Sequence, residues 1–254
     1  RWATHGGVTQ LNAHPHLSNS GRFAVVHNGI VENFEELTSQ LKFKGYKFKS
    51  ETDTEVIANL VEDVIASKNQ KSKIKNQNEN LKCKIFIEGV RQAFLKLEGR
   101  NAIVVLDKET GEMLALRQGS PLLVGIGQNE YFIASDITAF LAYTDQVMYL
   151  DDGQMVVINV KCQISNVKSM SKSKCPMPQI SFYDIASGKE IKRRIIKVDL
   201  KPEAAEMGKY KHFMIKEIME QKETIKRAVS QDDIRINYVA NLIKKSRGAF
   251  FIAA

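Results

Sequence analysis

The sequence predicts an α+β fold in which stacked antiparallel sheets are covered by helices. Two observations carry this. Apolar residues recur at helical spacing through residues 34–41, 55–66 and 86–97. From Asn101 onward the apolar runs are short and separated by tight turns, the mark of antiparallel pairing. Helices followed by many strands is not the order of a doubly wound parallel sheet.

The chemistry centres on residues 23–33, FAVVHNGIVEN. Phe23, Ala24, Val25 and Val26 form a short apolar run suited to a buried strand, which His27, Asn28 and Gly29 are expected to break sharply. Asn and Gly tolerate positive φ, so the backbone can turn N–H groups toward one point, and the Asn28 amide can add a donor there. Two preset donors at a strand end are what an oxyanion hole requires. An ordinary Asn-Gly hairpin turn is the competing reading. Against the hairpin, residues 32–41 read as a helix, so the turn joins strand to helix.

Upstream, RWATHGG at residues 1–7 brings Arg1, Trp2, Thr4 and His5 together. A guanidinium grips a carboxylate through two parallel N–H bonds and a hydroxyl adds a third contact, or the stretch is an amphipathic strand with a polar turn at Gly6-Gly7. Four of the five histidines lie within residues 5–27. His14 and His16 invite a metal reading, but no accompanying ligand set has metal-binding spacing, and hydrogen-bonding loop histidines are the expectation.

Downstream, Asn33 with Glu36 forms a candidate N-cap pair ahead of Phe34, Leu37 and Leu41, and Gly45 stops the helix. Residues 46–49 alternate like a half-exposed strand. Thr52 and Glu55 stand in capping-box register before a helix with Val56, Ile57, Leu60, Val61 and Val64 on one face. Asp53 in its first turn either complements the helix dipole or pairs with a cationic ligand group. Residues 67–84 read as a polar insertion, and a helix resumes over residues 86–97. Strands are expected over residues 101–107, 113–117, 122–127 and 131–135, a short helix over residues 137–143, and strands over residues 147–150 and 154–160 flanking the hairpin signal Asp152-Gly153. A second polar insertion runs over residues 161–177, followed by strands near residues 180–183 and 191–198. Residues 210–229 form an amphipathic helix with Phe213, Ile215, Ile218, Met219 and Ile225 as buried candidates and Glu223–Arg227 as an i,i+4 pair, and RGAFFIAA closes the chain as an apolar strand.

Composition narrows the class. With 254 residues, 43% of them hydrophobic, the chain buries a full core. The formal charge of +8 collects in Lys-rich tracts without interleaved aromatics, read as solvated loops, so nucleic acid is not the expected partner. Cys83, Cys162 and Cys175 form no metal-ligand spacing and fit a reducing, cytoplasmic compartment. No apolar run approaches a membrane span, and no signal peptide is visible.

RWATHG, NAHPH, VVHNGIVEN, ETDTEVIA, the GSPLLVGIG and FIASD pair, LDDGQMVVI and YKHFMIKEI occur in one order that closely resembles the glutamine–fructose-6-phosphate aminotransferases, or glucosamine-6-phosphate synthases. The resemblance spans the chain apart from the two insertions. It implies a class II glutaminase domain of the N-terminal-nucleophile hydrolase type, a four-layer α/β/β/α sandwich, here incomplete, over residues 1–205. A linker helix region over residues 206–235 and the start of a sugar-isomerase domain at residues 236–254 would follow. By the same resemblance, Arg1 would bind the glutamine α-carboxylate beside Thr4 and His5, and Trp2 would gate ammonia passage. Asn28 and Gly29 would form the oxyanion hole, and Asp53 would hold the α-ammonium.

The activity implied is glutamine hydrolysis with ammonia transfer to fructose 6-phosphate, giving glucosamine 6-phosphate. It calls for no cofactor and no metal, and for a homo-oligomer when the chain is complete. The family's nucleophile is an N-terminal cysteine that would lie upstream of Arg1, and no cysteine here sits in an activating context. A fragment of a working enzyme, inactive by itself, is therefore the expectation. A non-catalytic glutamine-binding or regulatory remnant is the alternative, and a histidine-based metal hydrolase is a third reading.

Overall fold

In a computed structural model of the chain, the structure describes residues 6–72, 79–159, 179–199, 207–230, 232–246 and 248. The chain divides into two compact units, Arg1–Pro202 and Glu203–Ala254.

The first unit is α+β. Its strands are β1 (His16–Leu17), β2 (Phe23–Gly29), β3 (Asn101–Asp107), β4 (Glu112–Gln118), β5 (Leu123–Ile126), β6 (Tyr131–Ala134), β7 (Gln146–Tyr149), β8 (Gln154–Asn159), β9 (Gln179–Asp184), β10 (Glu190–Ile191) and β11 (Ile196–Lys197). Its helices are α1 (Phe34–Phe43), α2 (Asp53–Ser72) and α3 (Glu79–Phe94). A seven-stranded sheet runs β1-β2-β3-β4-β8-β9-β10 and a four-stranded sheet runs β11-β7-β5-β6, with every pairing antiparallel.

Strand alternation sorts the core into layers. Phe23 and Val25 of β2, Ile103 and Val105 of β3, and Leu114 and Leu116 of β4 pack against the helices. There the Phe23 and Phe86 rings stack with centroids 5.8 Å apart. The opposite face, with Ala102, Ala115, Val156 and Ile158, packs on Val124 and Met148 of the small sheet. The outer face of the small sheet, Leu123 and Val147, is covered by Phe140 just after a 3-10 turn, Ile137–Ala139, which Asp136 caps by accepting the Thr138 N–H at 2.8 Å. The order of helices, large sheet and small sheet supplies three layers of the expected sandwich.

Several local expectations are corrected. The strand through residues 23–26 does not stop at Val26: His27, Asn28 and Gly29 stay in β2, opposite Ile103, Ala102 and Asn101. Residues 46–49 alternate but form no strand, because side chains take the place of a neighbouring strand: Asn19 Oδ1 accepts the Lys47 N–H and Glu55 accepts the Lys49 N–H. The same Glu55 carboxylate takes the Ser50 N–H at 2.6 Å, so Thr52 and Glu55 form no capping box. Asn33 makes no cap bond to α1; its side chain instead clasps Lys96 O and the Glu98 N–H. The insertion over residues 67–84 is helical at both ends, since α2 continues to Ser72 and α3 begins at Glu79.

Asp152-Gly153 is not a hairpin turn. It carries the chain from β7 in the small sheet to β8 in the large one, two strands that are not neighbours. Residues 191–198 likewise split into β10 and β11 of different sheets. The second insertion, residues 161–177, and the apolar closing residues 249–254 lie outside the described residues.

In the second unit, α4 (Phe213–Val229) takes up the helical periodicity expected over residues 210–229, and a further helix, α5 (Asp233–Lys245), follows, capped by Asp232, which accepts the Ile234 N–H at 2.9 Å. Phe213, Ile215, Ile218, Met219 and Ile225 are about half or more exposed, not buried. A chain segment of two helices offers little to bury them against. Among the described residues no helix is long and apolar enough to cross a membrane.

Candidate active site

The register of β2 sets the direction of each group at its end. Lys108 donates its N–H to Arg22 O and Ile30 donates to Arg100 O, so even-numbered residues of β2 face β3 with their backbone groups. Gly29 lies opposite Asn101 in the alternate position, which turns its N–H away from β3. On that other side β1 has already ended, its His16 opposite Val25. Gly29 also has a φ of +140°, and a Cβ there would lie 1.9 Å from Arg100 O. Only glycine fits this close strand approach.

Side chains alternate across the same strand. His27 is buried on the helix face, while Asn28 is exposed on the opposite face, beside Val26. The Asn28 amide, in the open, and the Gly29 N–H, directed off the ladder, thus lie at the same strand end.

Helix α2 brings its first turn against this strand end. Asp53 is 2% exposed, and its Oδ2 accepts the Val31 N–H at 2.8 Å. His27 Nδ1 stands 4.0 Å from the same oxygen. Thr54, also buried, places its Oγ1 3.1 Å from His27 Nδ1 and 3.2 Å from His14 Nε2. His27 Nε2 meets Asn101 Oδ1 at 2.9 Å, and Asn101 Nδ2 donates to Glu98 O at 3.2 Å. Thr52 Oγ1 holds His16 Nε2 at 3.1 Å, and burial pushes the His16 imidazole below its ordinary pKa despite the carboxylates of Glu55 and Asp53.

His14, His16 and His27 are therefore hydrogen-bonding residues. Among the described residues no three of His, Cys, Asp and Glu gather where they could hold a metal ion. Thr54 and Asn101 went unremarked in the sequence reading. The only signal for Thr54 is the polar run at residues 51–55, which could equally mark an exposed helix start.

The loop over residues 6–12 is tied to the approach to α2. Asn12 donates to Gly7 O at 2.8 Å and accepts the Glu51 N–H at 3.0 Å, while Glu51 Oε2 accepts the Gly7 N–H at 3.3 Å. Arg1, Trp2, Thr4 and His5 lie outside the described residues.

A glutamine amidotransferase domain model matches residues 7–142, more than half of the chain. The chain belongs to this glutamine amidotransferase domain family. The chain is 39% identical over 257 aligned residues to the glutamine–fructose-6-phosphate aminotransferase of Methanocaldococcus jannaschii, covering 100% of this chain and 21% of that protein. It is 40% identical over 242 residues to the enzyme of the same name from Bacteroides thetaiotaomicron, covering 95% of this chain and 34% of that protein. The chain thus spans about a fifth to a third of the curated relatives it matches. Among solved structures, that of the allosteric regulatory enzyme of purine biosynthesis is similar at 26% identity and a TM-score of 0.45, covering 61% of this chain and 31% of that one.

Proposed function

We propose that this chain is the glutamine-handling part of an amidotransferase that releases ammonia from glutamine and delivers it to fructose 6-phosphate. The observation that carries the reading is the tie between Asp53 Oδ2 and the Val31 N–H, which sets a buried carboxylate beside the strand end that presents Asn28 and Gly29. A carboxylate in that position suits the α-ammonium of an amino acid, and a strand-end donor pair suits the oxyanion formed when its side-chain amide is attacked. Arg1 and Thr4 would grip the α-carboxylate beside His5, and Trp2 would gate the released ammonia.

The nucleophile belongs to a cysteine outside this chain, whose thiolate would attack the amide carbon, expel ammonia and leave a thioester for water to hydrolyse. Residues 1–205 would bind glutamine and stabilise the oxyanion in this half-reaction, residues 206–235 form the linker and residues 236–254 open the domain for the sugar. The relatives' names support fructose 6-phosphate as the acceptor, and the complete protein would act as a cytoplasmic homo-oligomer. The test is to express the full-length protein and measure ammonia from glutamine, then glucosamine 6-phosphate with fructose 6-phosphate added. Glutamine bound but never hydrolysed would favour a non-catalytic remnant. Hydrolysis without sugar product would move the acceptor to another compound.

A further inference from the structure

We propose that Thr54 is a positioning residue that, together with Asp53, brackets the Asn28–Gly29 dipeptide and fixes its aim. The inference rests on the reading of that pair as the oxyanion hole. Two consecutive residues of α2 hold the chain on either side of it. Thr54 takes the side chain just before the pair, with Oγ1 3.1 Å from His27 Nδ1, and Asp53 takes the backbone two residues after it, at Val31 N, beyond the end of β2. A helix end therefore spans the stretch from His27 to Val31 whose backbone must be aimed.

The first two bonds of the Thr54 chain take their direction from its far end. Glu98 O can only accept, so the Asn101 amide must donate to it from Nδ2. That turns Asn101 Oδ1 toward His27, and His27 Nε2 must therefore carry a proton. Thr54 Oγ1 lies within hydrogen-bond distance of both His27 Nδ1 and His14 Nε2, so its one proton serves one ring and its lone pairs the other. One hydroxyl thus links the loop at His14, helix α2 and strands β2 and β3. Because Thr54 and His27 are both buried, water cannot easily take over a lost partner, and a broken link would let the strand end shift. Misaim of a reacting group by about 1 Å costs on the order of a hundredfold in rate.

Thr54→Val is nearly isosteric and removes only the hydroxyl, whereas Thr54→Ser keeps it. In the full-length protein, Thr54→Val is expected to lower kcat for glutamine hydrolysis about tenfold or more, with KM held within about threefold. Thr54→Ser should stay near the parent enzyme. Hydrogen–deuterium exchange over residues 27–31 should quicken about fivefold or more in Thr54→Val and little in Thr54→Ser. Should Thr54→Val fail to fold, His27→Gln offers the second route, since it can keep an N–H toward Asn101 while losing the ring nitrogen that faces Thr54. The same loss of kcat is expected from it.

Parent-like kcat and exchange in a folded Thr54→Val protein, or a change in KM alone, overturns the proposal. If the parent protein hydrolyses no glutamine, the functional reading fails instead. The exchange comparison then still decides whether Thr54 holds the strand end.

Discussion

Asp53 accepts the Val31 N–H through Oδ2 at 2.8 Å, so the carboxylate is joined to the backbone two residues past Gly29. The bond separates a structural role for Asp53 from a ligand-binding one. In Asp53→Asn the side-chain oxygen can still accept from Val31, so the fold should lose only about 0.3–1 kcal/mol. The charge for an ammonium is lost. In the full-length enzyme kcat/KM for glutamine should fall by about 2–5 kcal/mol, roughly thirtyfold to several thousandfold. Thermal unfolding without ligand and glutaminase kinetics on the same protein check both numbers, and destabilisation with near-parent kinetics would return Asp53 to a purely structural part.

Gly29→Ala tests the close approach of β2 and β3. The new Cβ meets Arg100 O at 1.9 Å, and that atom is backbone, which cannot swing aside. With the strained φ added, a loss of about 2–5 kcal/mol is expected, read by urea unfolding. An unchanged midpoint would show that the strands separate there at little cost.

Gly89 lets α2 and α3 pack closely, since a Cβ there would lie 2.3 Å from Ile65 Cγ1. Gly89→Ala should destabilise by about 1–3 kcal/mol despite the better helix propensity of alanine. Removing the clashing Cγ1 should leave the double variant Ile65→Ala, Gly89→Ala less destabilised than the sum of the two single changes, and strict additivity would deny the contact.

Acid should act in two windows. The His16 imidazole, chiefly by burial, lies below its ordinary pKa, so its contribution is present above the unfolded value of about 6.5 and is lost as pH falls through the folded one. Burial pushes the Asp107 carboxyl up, but the paired bonds from Arg22, at 2.9 and 2.8 Å, together with the Glu109 N–H and the Thr110 hydroxyl, hold it below the usual range. Its contribution is present above about 4 and fades as pH falls below that. Unfolding free energy measured from pH 8 to 3 should therefore decline in two steps, the upper one absent in His16→Asn and the lower one reduced in Asp107→Asn.

By itself the 254-residue chain should release no ammonia from glutamine. Cys83 lies within α3, Cys162 and Cys175 lie outside the described residues, and none has the sequence context of an activated thiolate. Cysteine-dependent ammonia release from this chain would overturn the placement of the nucleophile.

Much of the fold was legible because its signals are periodic. Apolar spacing located α1, α2 and α3, and the short runs after Asn101 located β3 to β8. What was lost depends on partners distant in sequence. Asn33 looks like a cap until Lys96 and Glu98 arrive to be clasped, and Glu55 looks like half a capping box until residues 49–50 present their N–H groups. The site divides along the same line. Asn28, Gly29 and Asp53 stand out by residue type, whereas Thr54 and Asn101 matter through the histidines that the fold brings to them.

The turn at Asp152-Gly153 has a consequence for how the molecule assembles. β4 and β8 are neighbours in the large sheet, yet residues 119–153, including β5, β6 and β7, lie between them. Closing a loop of that length costs about 3 kcal/mol before any β4–β8 pairing repays it. The mouth of the excursion is cross-tied: Arg117 contacts Leu150 O and Asp152, Gly119 N–H reaches Asp152 Oδ1 at 2.8 Å, and Gly153 N–H reaches Arg117 O at 2.9 Å. These ties make β5, β6 and β7 a nested unit within the small sheet, to which β11 is added from beyond β10. Once these three strands have paired, β8 is delivered to the edge of β4, and zipping of the large sheet toward β9 can proceed as a later, local event.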